Sequence, residues 1–249
     1  AYLINSAVVR AEPMRFAEKG VRDTVRSVVL PLWNAYKFLS TYAIADGWSP
    51  TAADLEVHPS GNADRWILSR VQSFLTDLVA EYDDYALSNV VPAFHRICDD
   101  LNNWYIRRGR RRYWRSKEEG EAAERDKAEA YGTLFRVLHT ISTAIAPVMP
   151  FFAEWMYQRL IVETGLAKEG EDSVHLGGFP LPDASLRDEA LEAEVAAVRQ
   201  AVNLGLAIRE REKIGVRRPL GKLTVAAPDE AVRKAIETHQ EDLLAELNM

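Results

Sequence analysis

The sequence predicts a mainly α-helical protein: a helical bundle followed by a small C-terminal α/β appendage. Three observations predict it. Apolar residues recur at three- and four-residue intervals over most of the first 165 positions, while a strand-like run is confined to a short stretch near residue 222. Glycine and proline are scarce, 13 and 11 in 249 residues, and fall mostly between the periodic stretches. Hydrophobic residues make up 47% of the chain, with six Trp, nine Tyr and eight Phe, which excludes a disordered chain and is enough for a sizeable core.

Residues 1–20 show no sustained period, contain Pro13 and Gly20, and read as a connecting segment. Val21, Val25, Val28, Val29, Leu32, Tyr36 and Leu39 then mark a helix that Pro31 should kink and that should fade at Asp46-Gly47. A loop carrying Pro50, Pro59 and Gly61 precedes a second helix through Ile67, Val71, Phe74, Leu75, Leu78 and Tyr82. Ser88 sits where an N-cap belongs, opening a third helix through Val91, Phe94, Ile97, Cys98, Leu101 and Tyr105. The charged stretch 117–129 reads as solvated, and Leu134, Val137, Leu138, Ile141 and Ile145 give a fourth helix. Pro147 and Pro150 punctuate the start of a fifth, with Phe152, Trp155, Met156 and Leu160.

The bundle is thus expected over residues 21–165, a polar linker broken by Gly170, Gly177 and Gly178 over 166–185, and the appendage over 186–249. Within the appendage a helix with Leu191, Val195, Val198, Val202 and Leu206 leads to a strand-like run, Lys222-Leu-Thr-Val-Ala226, and then to helical residues 229–247. The chain starts at Ala1 without an initiator Met and ends at Met249 just after a helix-like run, so both ends read as cuts in a longer protein.

Cys98 is the only cysteine, which excludes a disulfide framework and a cysteine metal site and fits a reducing compartment, the cytoplasm by default. No apolar run approaches the roughly 18 to 20 residues of a membrane span, and no signal-peptide order begins the chain. The net charge of −6 speaks against a nucleic-acid binder only as an average. Residues 107–117 hold Arg107, Arg108, Arg110, Arg111, Arg112, Arg115 and Lys117 with no acid among them, a basic island that focuses anionic partners.

No motif for catalysis is present. The five histidines are scattered without metal-ligand spacing, Gly177-Gly178 lacks the context of a phosphate loop, and the pairs Asp83-Asp84 and Asp99-Asp100 point to different helix faces. Catalytic, cofactor and metal residues are therefore expected to be none. The segment from Asn102 to Arg115 differs, because guanidinium groups alternate with Trp104, Tyr105, Tyr113 and Trp114. Arginine forks pair with phosphate and stack on bases, while aromatic faces offer platforms to unpaired nucleotides, so the mixture suits RNA. On helical spacing Trp104, Arg108, Arg111 and Arg115 form one stripe. The competing reading is a solvated face whose arginines pair with Glu118, Glu119, Glu121 and Glu124. A second basic element, Arg209, Arg211, Lys213, Arg217, Arg218 and Lys222, is weaker, because Glu210 and Glu212 alternate with it and a helix C-terminus that favours cations accounts for it as well as a phosphate contact does.

Several stretches in order resemble the isoleucyl-tRNA synthetase family downstream of its catalytic domain. Residues 2–16 resemble the segment after the KMSKS loop, and LPLWNAYKFLSTYA (30–43) the first helix of the anticodon-binding bundle. Asp64-Arg-Trp-Ile67 resembles the D-x-W-I/L start of its second helix, and Ala146-Pro-Val-Met-Pro-Phe151 its A-P-x-x-P-F turn; both patterns are shared with the valine and leucine enzymes. LNNWYIRRGRRRYW (101–114), Ser173-Val-His-Leu176 and Phe179-Pro180 point to the isoleucine enzyme, with Phe where the family usually has Trp. KIGVRRPL (213–220) and ELN (246–248) extend the resemblance into the appendage.

The resemblance implies a class I synthetase anticodon-binding bundle that recognises the anticodon arm of isoleucine tRNA. It also implies a parent ligase using ATP and Mg²⁺, whose HIGH and KMSKS motifs are absent here, so this piece is expected to be non-catalytic and monomeric. Together with the charge pattern it nominates Trp104, Arg107, Arg108, Arg110, Arg111, Arg112, Arg115, Lys213, Arg217 and Arg218 as RNA contacts. The alternative is a helical scaffold whose arginine cluster docks an acidic protein surface or the parent's own catalytic domain.

Overall fold

A computed structural model describes residues 1–4, 6, 9, 11–13, 16–115 and 119–249. It forms two compact units, Ala1–Arg187 and Asp188–Met249. Among the described residues there is no strand, and no helix is long and apolar enough to cross a membrane.

The first unit is a bundle of long helices. Helix α1 (Glu18–Thr24) runs through a π turn (Val25–Val29) into α2 (Leu30–Asp46). The π turn has a local cause. Pro31 has no N–H to donate and its ring would collide with the carbonyl four residues back, and a wider turn just before it removes the collision. Gly47 ends α2 in the left-handed region at φ 67°, a conformation glycine adopts without a Cβ penalty. Thr51 and Asp54 then cap a short 3₁₀ turn, Ala52–Glu56, reciprocally.

Helix α3 (Asn62–Asp83) buries Trp66, Ile67, Val71, Phe74, Leu75 and Leu78. Helix α4 (Val90–Asp99) starts one residue past the expected position, since Ser88 lies in a 3₁₀ turn (Leu87–Asn89) and Asn89 occupies the N-cap without a side-chain bond. Helix α4 passes through a second π turn, Asp100–Ile106, into α5 (Arg107–Trp114), the arginine-rich helix. Helix α6 (Glu121–Ala144) is the longest and touches α2, α3, α5 and α7 (Pro150–Tyr157). Pro150 begins α7, where a missing N–H costs nothing, and a third π turn (Gln158–Val162) extends it.

The stretch 166–185 is strapped to the bundle. Glu154 on α7 accepts bonds from Ser173 Oγ and the Val174 N–H, both at 2.9 Å, and Tyr157 Oη donates to the Glu171 carbonyl. The three donors Val174, Gln158 and Ser173 hold the Glu154 carboxyl below its ordinary range, against the opposing pull of partial burial. Phe179 meets Tyr82 edge-on at 5.8 Å, and the Asp183 N–H reaches Gln72 Oε1 at 2.8 Å.

In the second unit α8 (Glu189–Arg211), capped by Asp188, buries Leu191, Val195, Val198 and Val202 against α9 (Glu230–Thr238) and α10 (Gln240–Leu247). Gly205 lets α10 close in, because a Cβ there would sit 2.6 Å from Leu247 Cδ1. The helical run 229–247 breaks at His239, whose ring lies between Glu194 and Asp242. The strand expected over 222–226 does not form: a strand needs a partner for its ladder, and no other extended run among the described residues supplies one. The appendage is helical.

Candidate nucleic-acid interface

Helices α4 and α5 and the π turn between them make one continuous rod whose inner side carries Leu101, Tyr105, Ile106 and Tyr113, all buried. Arg112 lies on that inner side. Its Nη1 and Nη2 donate to Asp64 Oδ1 and Oδ2 at 2.8 and 2.6 Å, and its Nε donates to Asp126 Oδ1 at 3.0 Å. Asp64 is fully buried and takes a further bond from Tyr105 Oη at 2.6 Å. Burial pulls the Arg112 guanidinium toward the neutral form, but the Asp64 and Asp126 bonds outweigh it and hold the cation above its ordinary value. The neighbouring Tyr113 hydroxyl donates to the Ala130 carbonyl.

This fork removes Arg112 from the expected RNA contacts: its side chain is 15% exposed and its donors are spent inside the bundle. Trp104 is removed too, being 7% exposed with the Arg108 guanidinium 4.5 Å above its ring. The anticipated stripe of Trp104, Arg108, Arg111 and Arg115 is therefore not the outer face. Arg115 turns to Asp126 at 2.9 Å, with Glu119 at 3.9 Å, which matches the competing acidic-partner reading for that one arginine. Lys117 and Glu118 lie outside the described residues.

What remains outward is Arg107, Arg110 and Arg111, joined by Trp114 at 58% exposure. Arg110 and Arg111 form no ion pair with any described residue. Arg107 Nε is held by the Asn103 carbonyl, and Trp114 Nε1 donates to Tyr42 Oη at 2.7 Å, which fixes the indole plane at the end of the arginine row. Sequence reasoning missed Trp114 as a site residue. The signal was available, since Tyr105 and Tyr113 set the phase of the inner side and place residues 107, 110, 111 and 114 opposite it.

In the second unit Lys213, Arg217 and Arg218 are exposed on the loop after α8, with Lys213 in the left-handed region at φ 55°. Arg209 shapes that loop from beneath. It is 4% exposed, and its guanidinium donates to the carbonyls of Gly215, Arg218, Leu247 and Asn248.

Among the described residues no group of three or more His, Cys, Asp or Glu is placed to hold a metal. Cys98 is buried, which raises its thiol pKa far above the reactive range, with Asp99 adding to the shift.

The model of the family described as the anticodon-binding domain of tRNA ligase matches residues 64–225, from the buried aspartate through the Arg209 loop. The chain belongs to that family. Its relatives include isoleucine--tRNA ligases of Treponema pallidum, 37% identical over 259 residues, and of Protochlamydia amoebophila, 37% identical over 248. The cytoplasmic isoleucine--tRNA ligase of Saccharomyces cerevisiae is 38% identical over 256 residues. Each alignment covers the whole chain but 23% of the relative, so the chain spans about a quarter of the length of these curated relatives. In this chain the Asp64-Arg-Trp-Ile67 stretch and the arginine-rich helix meet in one buried contact, the Asp64 carboxylate holding Arg112 of α5.

Proposed function

We propose that this anticodon-binding domain grips the anticodon arm of an isoleucine tRNA and acts as the recognition part of an isoleucine-tRNA ligase. The observation that carries the reading is the outward row of Arg107, Arg110 and Arg111, ended by the exposed indole of Trp114 and backed by the Arg112–Asp64 fork. Guanidinium groups on a rigid rod match the spaced charges of an RNA backbone, and an immobilised aromatic plane matches an unstacked base. Lys213, Arg217 and Arg218 add cations in the second unit. The reaction itself, with ATP and Mg²⁺, belongs on this reading to the rest of the ligase, a cytoplasmic enzyme; the 249 residues recognise and do not charge.

Binding of the chain to isoleucine tRNA, to the same tRNA with altered anticodon bases, and to an unrelated tRNA, at two salt concentrations, tests the proposal. Binding that weakens with salt and with anticodon changes is expected. Equal and salt-insensitive binding to all three, or none, overturns it.

A further inference from the structure

The two π turns at Val25–Val29 and Asp100–Ile106 face each other across a polar cleft of about 290 Å³ lined by Arg26, Ser27, Asn34, His95, Asn102 and Asn103. The first π turn has Pro31 as its cause. The second contains no proline or glycine; there the Asn102 side chain bonds the carbonyl of Cys98 four residues back, and π turns of this kind are frequent at functional sites. Its effect is to bring Asn102 and Asn103 to the same cleft wall.

The chemistry of that wall is selective. Asn102 Nδ2 donates to the Cys98 carbonyl at 3.0 Å and Asn103 Nδ2 donates to Asp99 Oδ1 at 2.6 Å. Both partners can only accept, so both amide orientations are fixed, and each leaves its Oδ1 as an acceptor and one N–H as a donor. His95 lies on the same rod, Arg26 and Asn34 on the facing side; all three are exposed, and none forms a hydrogen bond or ion pair with a described residue. The cleft therefore offers two oriented amides and an imidazole on one wall and a guanidinium and a further amide on the other, so donors and acceptors lie side by side. A phosphate, which only accepts, would use Arg26 and the amide N–H groups but leave the amide oxygens unmatched; a metal ion would find Asp99 as the single carboxylate; an apolar ligand would strand every group. The edge of a nucleobase carries donors and acceptors side by side and satisfies both walls.

Position agrees with chemistry. The Asn103 carbonyl holds Arg107 Nε at 2.8 Å, so the cleft adjoins the start of the outward arginine row. We infer that this cleft is a base-reading pocket, which receives one unpaired nucleobase of an RNA whose backbone lies along Arg107, Arg110 and Arg111. The inference rests on the RNA-binding reading above and adds to it a place where sequence, rather than charge, is read.

The test uses the whole chain, wild type and with Asn34→Ala or Asn103→Ala, and the anticodon stem-loop of an isoleucine tRNA, intact or with each loop base in turn replaced by an abasic nucleotide. Circular dichroism and Tm verify folding of these surface variants. Each variant is expected to bind the intact loop about tenfold more weakly, with an unchanged salt slope. That loss should disappear against the one abasic loop that lacks the captured base. Variants that bind as tightly as wild type, or whose loss is the same for every abasic loop, overturn the pocket while leaving the arginine row in place. Absence of any stem-loop binding by the wild-type chain is the distinct result that removes the RNA reading, and the pocket with it.

Discussion

Each unit buries one arginine beneath its basic surface, and the two are held in opposite ways. Arg112 faces carboxylates, Asp64 and Asp126, brought from 48 and 14 residues away. Arg209 faces no carboxylate but the carbonyls of Gly215, Arg218, Leu247 and Asn248, with the Met249 sulfur at 4.0 Å. A carboxylate pair is charge-compensated and demands its partner: remove either side and a buried ion remains. A carbonyl cradle spreads the cation over several weak dipoles, so losing it strands neutral groups at smaller cost. The first arrangement specifies how helices meet; the second closes a loop and a helix end.

Breaking the first is expected to have the largest effect. Asp64→Ala leaves Arg112 largely buried opposite a cavity and should cost about 3–5 kcal/mol in urea denaturation, whereas Asp64→Leu combined with Arg112→Met should recover most of that loss. Recovery no better than the single variant would mean that the fork specifies the packing rather than merely compensating a charge. Acid attacks the same unit by another route. Burial lowers the His139 pKa from 6.5 to about 4, helped by the charge of Lys168, so the folded state favours the neutral ring. Its stabilising contribution is complete above pH 6.5 and is lost as pH falls toward 4, about 3 kcal/mol in all. Denaturation at stepped pH should show this slope, and His139→Gln should flatten it.

For the second unit, Arg209→Met should cost about 2–3 kcal/mol. The damage should be confined to α8, α10 and the loop between Ile214 and Leu220 in hydrogen exchange. Exchange that rises equally throughout both units would contradict the local character of the carbonyl cradle. The smallest stability effect is expected on the outer row. Changing Arg107, Arg110 and Arg111 together to Gln should alter stability by less than about 0.5 kcal/mol, yet lower the salt slope of RNA binding by about 0.7–0.9 for each phosphate no longer neutralised. Intact binding after that change would transfer the RNA contact away from α5.

The helices were legible because their periodicity was strong: Ile67, Val71, Phe74, Leu75 and Leu78 all go to the core, as do Leu134, Val137, Leu138 and Ile141. Asp46-Gly47 and Pro150 marked boundaries through backbone preferences that need no tertiary context. The division of labour among the arginines was less legible, since a basic residue reads as exposed until the distant carboxylate that claims it is known. Asp64 lies 48 positions from Arg112, and no local pattern couples them. The π turns were hidden for a related reason, as a single extra residue in a turn leaves the apolar spacing almost unchanged. The strand at 222–226 failed because alternation describes a strand's faces and says nothing about whether a neighbour exists to pair with it.

The Asp64–Arg112 fork also bears on the chain before it is folded. An unfolded segment with six guanidiniums in nine residues would attract any polyanion indiscriminately, ribosomal RNA included, as it emerges during synthesis. Docking α5 onto α3 and α6 withdraws Arg112, ties Arg115 to Asp126 and lays Arg108 over Trp104, so the surface left behind is smaller and ordered. Folding here works as a filter on stickiness, and a mutation that stalls it would show first as promiscuous RNA retention.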